Sequence, residues 1–203
     1  QIRACLLEAL DEKIIITDPT RKAVITGVER PKTNKVLSYK NWSILIKHLN
    51  TNKTDEMIIF IAAVTGMRYG EVVGLTTKDI DFKNGYIKVN KTWDYKYKTG
   101  FMKTKTKSSI RKIAIDEQTI SRLKGYLNLH NFNNNEKNHI LVSAEINKSL
   151  TNKLESLNIP RITFHGLRHT HASILLYKGV SVLSVSRRLG HSNITTTQST
   201  YLH

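Results

Sequence analysis

Apolar positions recur with helical spacing over most of the chain and alternate only in one central stretch. Ile2, Cys5, Leu6, Ala9 and Leu10 repeat every three to four residues and predict a helix. Residues 17–35 are rich in charge and turn formers, with Pro19, Gly27 and Pro31, and read as a linker. Beyond them Ser38 is placed to cap a helix carrying Trp42, Leu45, Ile46 and Leu49. Residues 57–64 are apolar all round, as in a helix buried on every side, and Gly66 can close that helix in the left-handed conformation. A short helix over about residues 69–75 follows.

The middle of the chain switches period. Residues 81–83 and 86–89 flank Asn84-Gly85, the signal of a hairpin with a primed turn, and residues 112–115 read as a third strand. Helical spacing then returns over residues 117–129, with Ile120, Leu123 and Leu127 on one face, and over residues 146–157, closed by Pro160. Residues 131–138 are polar and read as a loop. Three short helices punctuated by Gly179 and Gly190 end the chain, and the β-branched run Thr195-Thr196-Thr197 predicts marginal order after His191. The expected class is α+β, mainly helical with a small three-stranded antiparallel sheet. The expected division is residues 1–35, a helix and linker, and residues 36–203, the main domain.

Charge narrows the range of partners. Lys and Arg number 32 against 16 Asp and Glu, a net +16 over 203 residues, which points to a polyanion, nucleic acid first and an anionic membrane second. One cysteine excludes a disulfide framework and a multi-cysteine zinc site, and a reducing cytoplasm is the simple setting. The longest apolar run, residues 57–64, is too short to span a bilayer, and no basic-then-apolar signal segment opens the chain. A first residue of Gln1 rather than Met leads us to expect a fragment whose N-terminal part is missing. Cations concentrate in residues 91–111, where Lys91, Lys96, Lys98, Lys103, Lys105, Lys107 and Arg111 stand against a single acid, Asp94, with Trp93, Tyr95, Tyr97 and Phe101 interleaved. A solvated hairpin face is the plain explanation; interleaved aromatics and the overall charge favour a nucleic-acid contact.

Candidate chemistry lies elsewhere. In His165-Gly-Leu-Arg168-His169-Thr-His171, Thr163 can cap a helix, and His165 and Arg168 share a face near its N-terminus, a combination that suits a phosphate. His165 and His169 have zinc-binding spacing, but Arg168 between them opposes a cation, and no metal or cofactor is expected. Arg68 opens another helix, with Glu71 three residues on, where a surface ion pair is the plain alternative. His191 stands at a helix end after Gly190, and Tyr201 follows ten residues later.

Taken singly these signals are weak; in order they are specific. Arg68 within Thr65-Gly-Met-Arg-Tyr-Gly-Glu-Val, Lys105-Thr-Lys-Ser-Ser-Ile-Arg111, His165-x-x-Arg168, Leu-Gly-His191 and Tyr201 together resemble the tyrosine recombinase (phage integrase) family over about residues 36–203, and look like integrases of Gram-positive phages and conjugative transposons. The resemblance implies a tyrosine-recombinase catalytic domain, with residues 1–35 as the last helix of an upstream core-binding domain plus linker. It implies a site-specific recombinase in which Tyr201 attacks DNA to form a 3′-phosphotyrosyl link. Arg68 and Arg168 would clamp the phosphate, Lys105 would protonate the leaving 5′-oxygen, with Lys103 or Lys107 as possible replacements. His165 would assist proton transfer at the tyrosine, His191 would donate to the phosphate, and Glu71 would support Arg68. Lys91, Lys96, Lys98, Lys103, Lys107 and Arg111 would contact DNA. Implied partners are duplex attachment sites, a homotetramer on DNA formed from monomers, and an accessory DNA-bending or excision protein, in a bacterial cytoplasm at the nucleoid. A type IB topoisomerase or telomere resolvase would share the attack. A non-catalytic DNA-binding fragment would use the basic hairpin alone, and a metal-dependent nuclease would need a cation.

Overall fold

Helix α3 (Thr54–Thr65) is the post around which the main domain is built. Asp55 and Glu56 in its first turn complement the positive end of the helix dipole, and residues 57–63 are buried on every side, as their uninterrupted apolar pattern requires. Five helices pack on it: α2 (Tyr39–His48), α4 (Tyr69–Val73), α5 (Glu117–Leu129), α6 (Ile146–Ser156) and α7 (Phe164–Tyr177). Helix α8 (Val182–Leu189) packs on α7, and α9 (Ile194–Tyr201) packs on α8. The computed structural model describes residues 2–22, 36–104, 106–132, 140, 141, 143 and 145–201, with backbone alone at 2, 3 and 107. Two units divide the chain, residues 1–32 and 33–203. Within the first, α1 (Ile2–Asp11) ends with Lys13 at φ 58, while the Ile14 N–H bonds back to the Ala9 carbonyl. Among the described residues no helix is long and apolar enough to cross a membrane.

The helix signals in the sequence correspond to real caps. Ser38 Oγ accepts from the Asn41 N–H, and Thr163 Oγ1 from the Gly166 N–H. In α5 the buried stripe is Thr119, Leu123 and Tyr126, rotated from the expected Ile120–Leu123–Leu127 face because the Tyr126 hydroxyl reaches the Ile140 carbonyl at 3.1 Å. Helix α7 is not short: its 14 residues are continuous. The run Thr195–Thr197 is helical against its propensity. Asn193 Oδ1 accepts from the Thr195 N–H and hydroxyl, both at 2.9 Å, and Thr197 is buried.

The sheet is three-stranded and antiparallel, in the order β1 (Ile80–Asp81), β2 (Tyr86–Val89) and β5 (Arg111–Ala114). Its hairpin is not the expected two-residue primed turn. Ile80 pairs with Ile87 and Asp81 with Tyr86, leaving residues 82–85 as the loop, in which Gly85 has φ 67. The Asp81 carboxylate closes that loop by accepting from the Lys83 N–H, the Asn84 N–H and the Asn84 amide, a job suited to Asp at the first turn position. The basic stretch adds a separate two-stranded ribbon, β3 (Lys91–Trp93) with β4 (Phe101–Lys103), pinned by an edge-on Trp93–Phe101 contact at 5.0 Å.

Gly66 ends α3 at φ 69 in a tight place: a Cβ there would stand 2.8 Å from His171 Cδ2 and 2.9 Å from Leu189 Cδ2. Gly66→Ala is therefore strained and crowded, and thermal or urea unfolding should show a loss of about 1–3 kcal/mol. Gly125→Ala, in the interior of α5 where a Cβ meets nothing within 4 Å, should instead stabilise by about 0.5–1 kcal/mol. Equal effects of the two substitutions would contradict this account.

Candidate active site

The site is assembled where helices end. Arg68 sits immediately before α4, His165, Arg168 and His169 lie in the first half of α7, His191 follows α8, and Tyr201 closes α9. Gly190, at φ 72, turns the chain out of α8 so that His191 faces back toward α7.

Glu71 anchors the arginine side. Its Oε1 accepts from Arg68 Nη1 at 3.1 Å and from Arg111 Nη1 at 3.0 Å; its Oε2 accepts from the Arg68 backbone N–H and from Arg111 Nη2, both at 2.9 Å. Burial pushes this carboxyl up, but the Arg111 hydrogen bonds and charge, with Arg68, more than offset it and leave the group below its ordinary value. Glu71 thus pairs with Arg68, and it is buried and holds a second arginine as well.

That second contact corrects one expectation. Arg111 does not face outward to DNA: its side chain is 6% exposed, paired with Glu71, and its Nε donates to the Arg188 carbonyl at 2.6 Å. Lys91 is likewise turned inward, paired with Asp79 and lying over the Phe101 ring at 5.5 Å. The reason is strand alternation: residues of a charged run point to both faces of a ribbon, and the inward ones meet the acids of neighbouring segments. Lys96, Lys98 and Lys103 do line an open groove of about 1860 Å³, together with Arg68, Tyr95, Tyr97, His165 and His191. Lys105 and the side chain of Lys107 lie outside the described residues.

Arg168 is buried at 3% exposure. Its Nη1 donates to the Gly66 carbonyl and its Nη2 to the Leu189 carbonyl, both at 2.8 Å. Burial first, then the charge of Arg68, pushes its pKa down to about 9, with Glu71 and Tyr201 acting in the other direction. The guanidinium is still a cation at neutral pH, and the like charge of Arg68 reaches it. The two arginines therefore stand together rather than on opposite sides of the molecule, and their attachments differ: Arg68 is paired to Glu71 and 41% exposed, Arg168 is held by backbone carbonyls.

The imidazoles take up this field. Burial, then Arg168 and Arg68, hold His165 below its ordinary value; burial and the same arginines, joined by Arg111 and His169, push His191 down to about 4. Both rings are neutral at pH 7 in the free protein. His191 Nδ1 lies 2.8 Å from Thr197 Oγ1. Tyr201 is half-buried, packed against Ala172, Val185 and Leu189, and burial raises its hydroxyl despite the opposing pull of Arg168. The charge of Arg168, which favours phenolate, is thus outweighed by desolvation.

Sequence reasoning missed one residue. The imidazole at the tyrosine is His169, whose Nδ1 is 2.8 Å from Tyr201 Oη; His165, expected there, stacks edge-on against His169 at 4.7 Å and faces the groove. The available signal was the i,i+4 spacing of the two histidines, which reads equally well as a metal pair.

Known proteins share this fold. The integrase of the Tn1549 transposon, solved with transposon right-end DNA, superposes with a TM-score of 0.75 at 22% identity, over 99% of this chain and 72% of that one, so the two share a fold. Residues 35–203 match the phage integrase family, and the chain belongs to that family. The integrase of Staphylococcus phage L54a is 35% identical over 162 residues, covering 70% of this chain and 46% of that protein. The transposase of transposon Tn916 from Enterococcus faecalis is 28% identical over 208 residues, covering 90% of this chain and 50% of that one. The chain spans about half the length of these curated relatives.

Removing Glu71 leaves Arg111 buried without its partner, so Glu71→Ala should cost about 3–5 kcal/mol in urea unfolding. The pH trend has a definite sign. A carboxyl whose folded pKa is depressed contributes stability that is fully present above its unfolded value near 4.5 and is lost as pH falls through the lower folded value. The stability gap between wild type and Glu71→Gln should therefore be flat from pH 7 to about 5 and close below 4.5; a gap that widens with acid would contradict the pairing.

Proposed function

We propose that this chain is the catalytic part of a site-specific DNA recombinase of a mobile element, which cuts and rejoins duplex DNA through a 3′-phosphotyrosyl bond on Tyr201. The observation that carries the reading is the placement of the Tyr201 hydroxyl. It lies 2.8 Å from an imidazole and within the field of Arg168, which in turn stands beside Arg68. Two adjacent guanidinium groups at helix boundaries, one preorganised by fixed carbonyls, fit a phosphodiester whose charge grows at the transition state. Arg68 and Arg168 hold the non-bridging oxygens. His191 and His165, neutral in the free protein, donate to the phosphate through their outer nitrogens. Lys105 is the acid for the leaving 5′-oxygen.

The groove lysines Lys96, Lys98 and Lys103, with Tyr95 and Tyr97 between them, hold the DNA backbone, joined by Lys107. The relatives, an integrase and a transposase, support a role in integration or excision, and the Tn1549 integrase was solved on DNA. On this reading residues 1–35 are the end of an upstream core-binding domain and its linker. Copies of the protein assemble as a tetramer on paired attachment sites in the bacterial cytoplasm, with a DNA-bending or excision protein as accessory. The phosphotyrosyl bond conserves energy, so neither nucleotide nor metal is called for.

The test is a covalent adduct. Wild type incubated with nicked duplex DNA should give a denaturant-resistant complex in the presence of EDTA, with the oligonucleotide on the Tyr201 peptide by mass spectrometry. Tyr201→Phe should give none. Arg168→Lys keeps a buried cation but not the fork, and should lower the cleavage rate by about 10²–10³ while DNA binding changes little. An adduct on another residue, or one lost with chelator, defeats the reading.

A further inference from the structure

We propose that His169 is the base that takes the proton of Tyr201, an inference that rests on the reading of Tyr201 as nucleophile. Helix α9 presents Thr197 and Tyr201 on one face, one turn apart, and two imidazoles meet them: His191 Nδ1 at Thr197 Oγ1 and His169 Nδ1 at Tyr201 Oη, both at 2.8 Å. The distance is that of a formed hydrogen bond, already within reach for proton transfer. In the tautomer that carries its proton on Nε2, Nδ1 is the acceptor and the phenol O–H the donor. His165, on the same helix, contacts His169 ring to ring and lines the groove, a place suited to the phosphate rather than to the phenol.

The step balances within the protein and its DNA. The O–H bond of Tyr201 breaks and its proton moves to His169 Nδ1. The phenolate oxygen forms a bond to phosphorus, the P–O5′ bond breaks, and the 5′-oxygen leaves with that electron pair and takes a proton from the acid of the site. Rejoining reverses each move, and the imidazolium returns the proton to Tyr201. Among the described residues, the charged and titratable groups near His169 include His165 and Arg168 on its own helix, Tyr201 on α9, and His191 beyond α8. A proton passing from phenol to imidazole leaves the net charge unchanged. The cations that resist an imidazolium favour the adjoining phenolate, so the two effects oppose each other.

The experiment uses a pool of nicked duplexes that samples all sequences, with either oxygen or sulfur at the 5′-bridging position of the phosphates, and follows the adduct on Tyr201. A thiolate leaves without protonation, so the sulfur substrate rescues loss of an acid but not loss of the base. His169→Gln, which keeps a hydrogen-bonding group, and His169→Ala should form adduct about 10²–10⁴-fold more slowly on both substrates. Their deficit should narrow as pH rises from 7 to 9 and the phenol ionises unaided, with duplex binding and melting close to wild type. Rescue by sulfur, or a wild-type rate in both variants while His165→Gln shows the base signature, overturns the assignment and leaves Tyr201 as nucleophile. Adduct formation by Tyr201→Phe, or none by wild type, removes the underlying reading and this proposal with it.

Discussion

Two helices end with carbonyls that have no partner in their own last turn, and arginines close them. The last turn of α3 presents the Val64 and Gly66 carbonyls, and that of α8 presents those of Arg188 and Leu189. Arg168 joins Gly66 to Leu189, Arg188 reaches Val64 and Ala114, and Arg111 takes the Arg188 carbonyl. Helix C-termini are left with unpaired acceptors and the negative end of the dipole, so a guanidinium is the matching partner. Each carbonyl left unpaired would cost about 1–3 kcal/mol. This set of bonds fixes α8 against α3 and α7, and with α8 it fixes the position from which His191 and α9 depart. His171 completes it from below: its ring accepts from Arg188 Nε at 3.0 Å, and burial, then the Arg188 charge, holds it down at about 3, so it stays a neutral acceptor.

One consequence is that structure and chemistry share residues. Arg168 commits two of its N–H groups to the scaffold, which fixes the plane of the fork before any DNA arrives. That is preorganisation in a literal sense: the cost of burying and orienting the cation is met during folding, against carbonyl dipoles that do not move. Arg68, half in solvent and held by Glu71, is the more adjustable member of the pair. The same coupling explains why Glu71 can be buried at all. A carboxylate at 2% exposure needs compensation from more than one side, and Arg68 and Arg111 provide it from α4 and β5.

Much of the helical frame was legible because its signals are local. Ser38 and Thr163 announce caps, Gly66 announces an end, and the unbroken apolar run of α3 announces complete burial. The candidate residues were legible only as an ordered set, since Arg68, His165, Arg168, His191 and Tyr201 are each ordinary when alone. What could not be read depends on contacts far apart in sequence. The pairing of Arg111 with Glu71 spans strand and helix, and a cation in a basic run carries no local mark of facing inward. Helix α9 forms although its threonines disfavour it, because Asn193 caps it and Thr197 and Tyr201 dock on His191 and His169. The turn at Asn84-Gly85 misled for the opposite reason: Asp81, outside the dipeptide, closes a longer loop with its carboxylate.

The state of Tyr201, the nucleophile proposed above, follows from weighing two opposed effects. Burial disfavours phenolate at Tyr201 and Arg168 favours it; burial wins, so the hydroxyl stays protonated in the free protein. Ionisation toward solvent would leave a lone anion in a half-buried place. Transfer to an imidazole 2.8 Å away leaves a contact ion pair instead, and its mutual attraction offsets much of the desolvation that the lone anion would bear. Distance therefore matters more here than the ordinary gap between the two pKa values. A helix that seats Tyr201 by hydrogen bonds one turn apart controls that distance, and any change that lifts α9 from His191 and His169 would part the proposed nucleophile from its proposed proton acceptor while leaving the arginine pair in place.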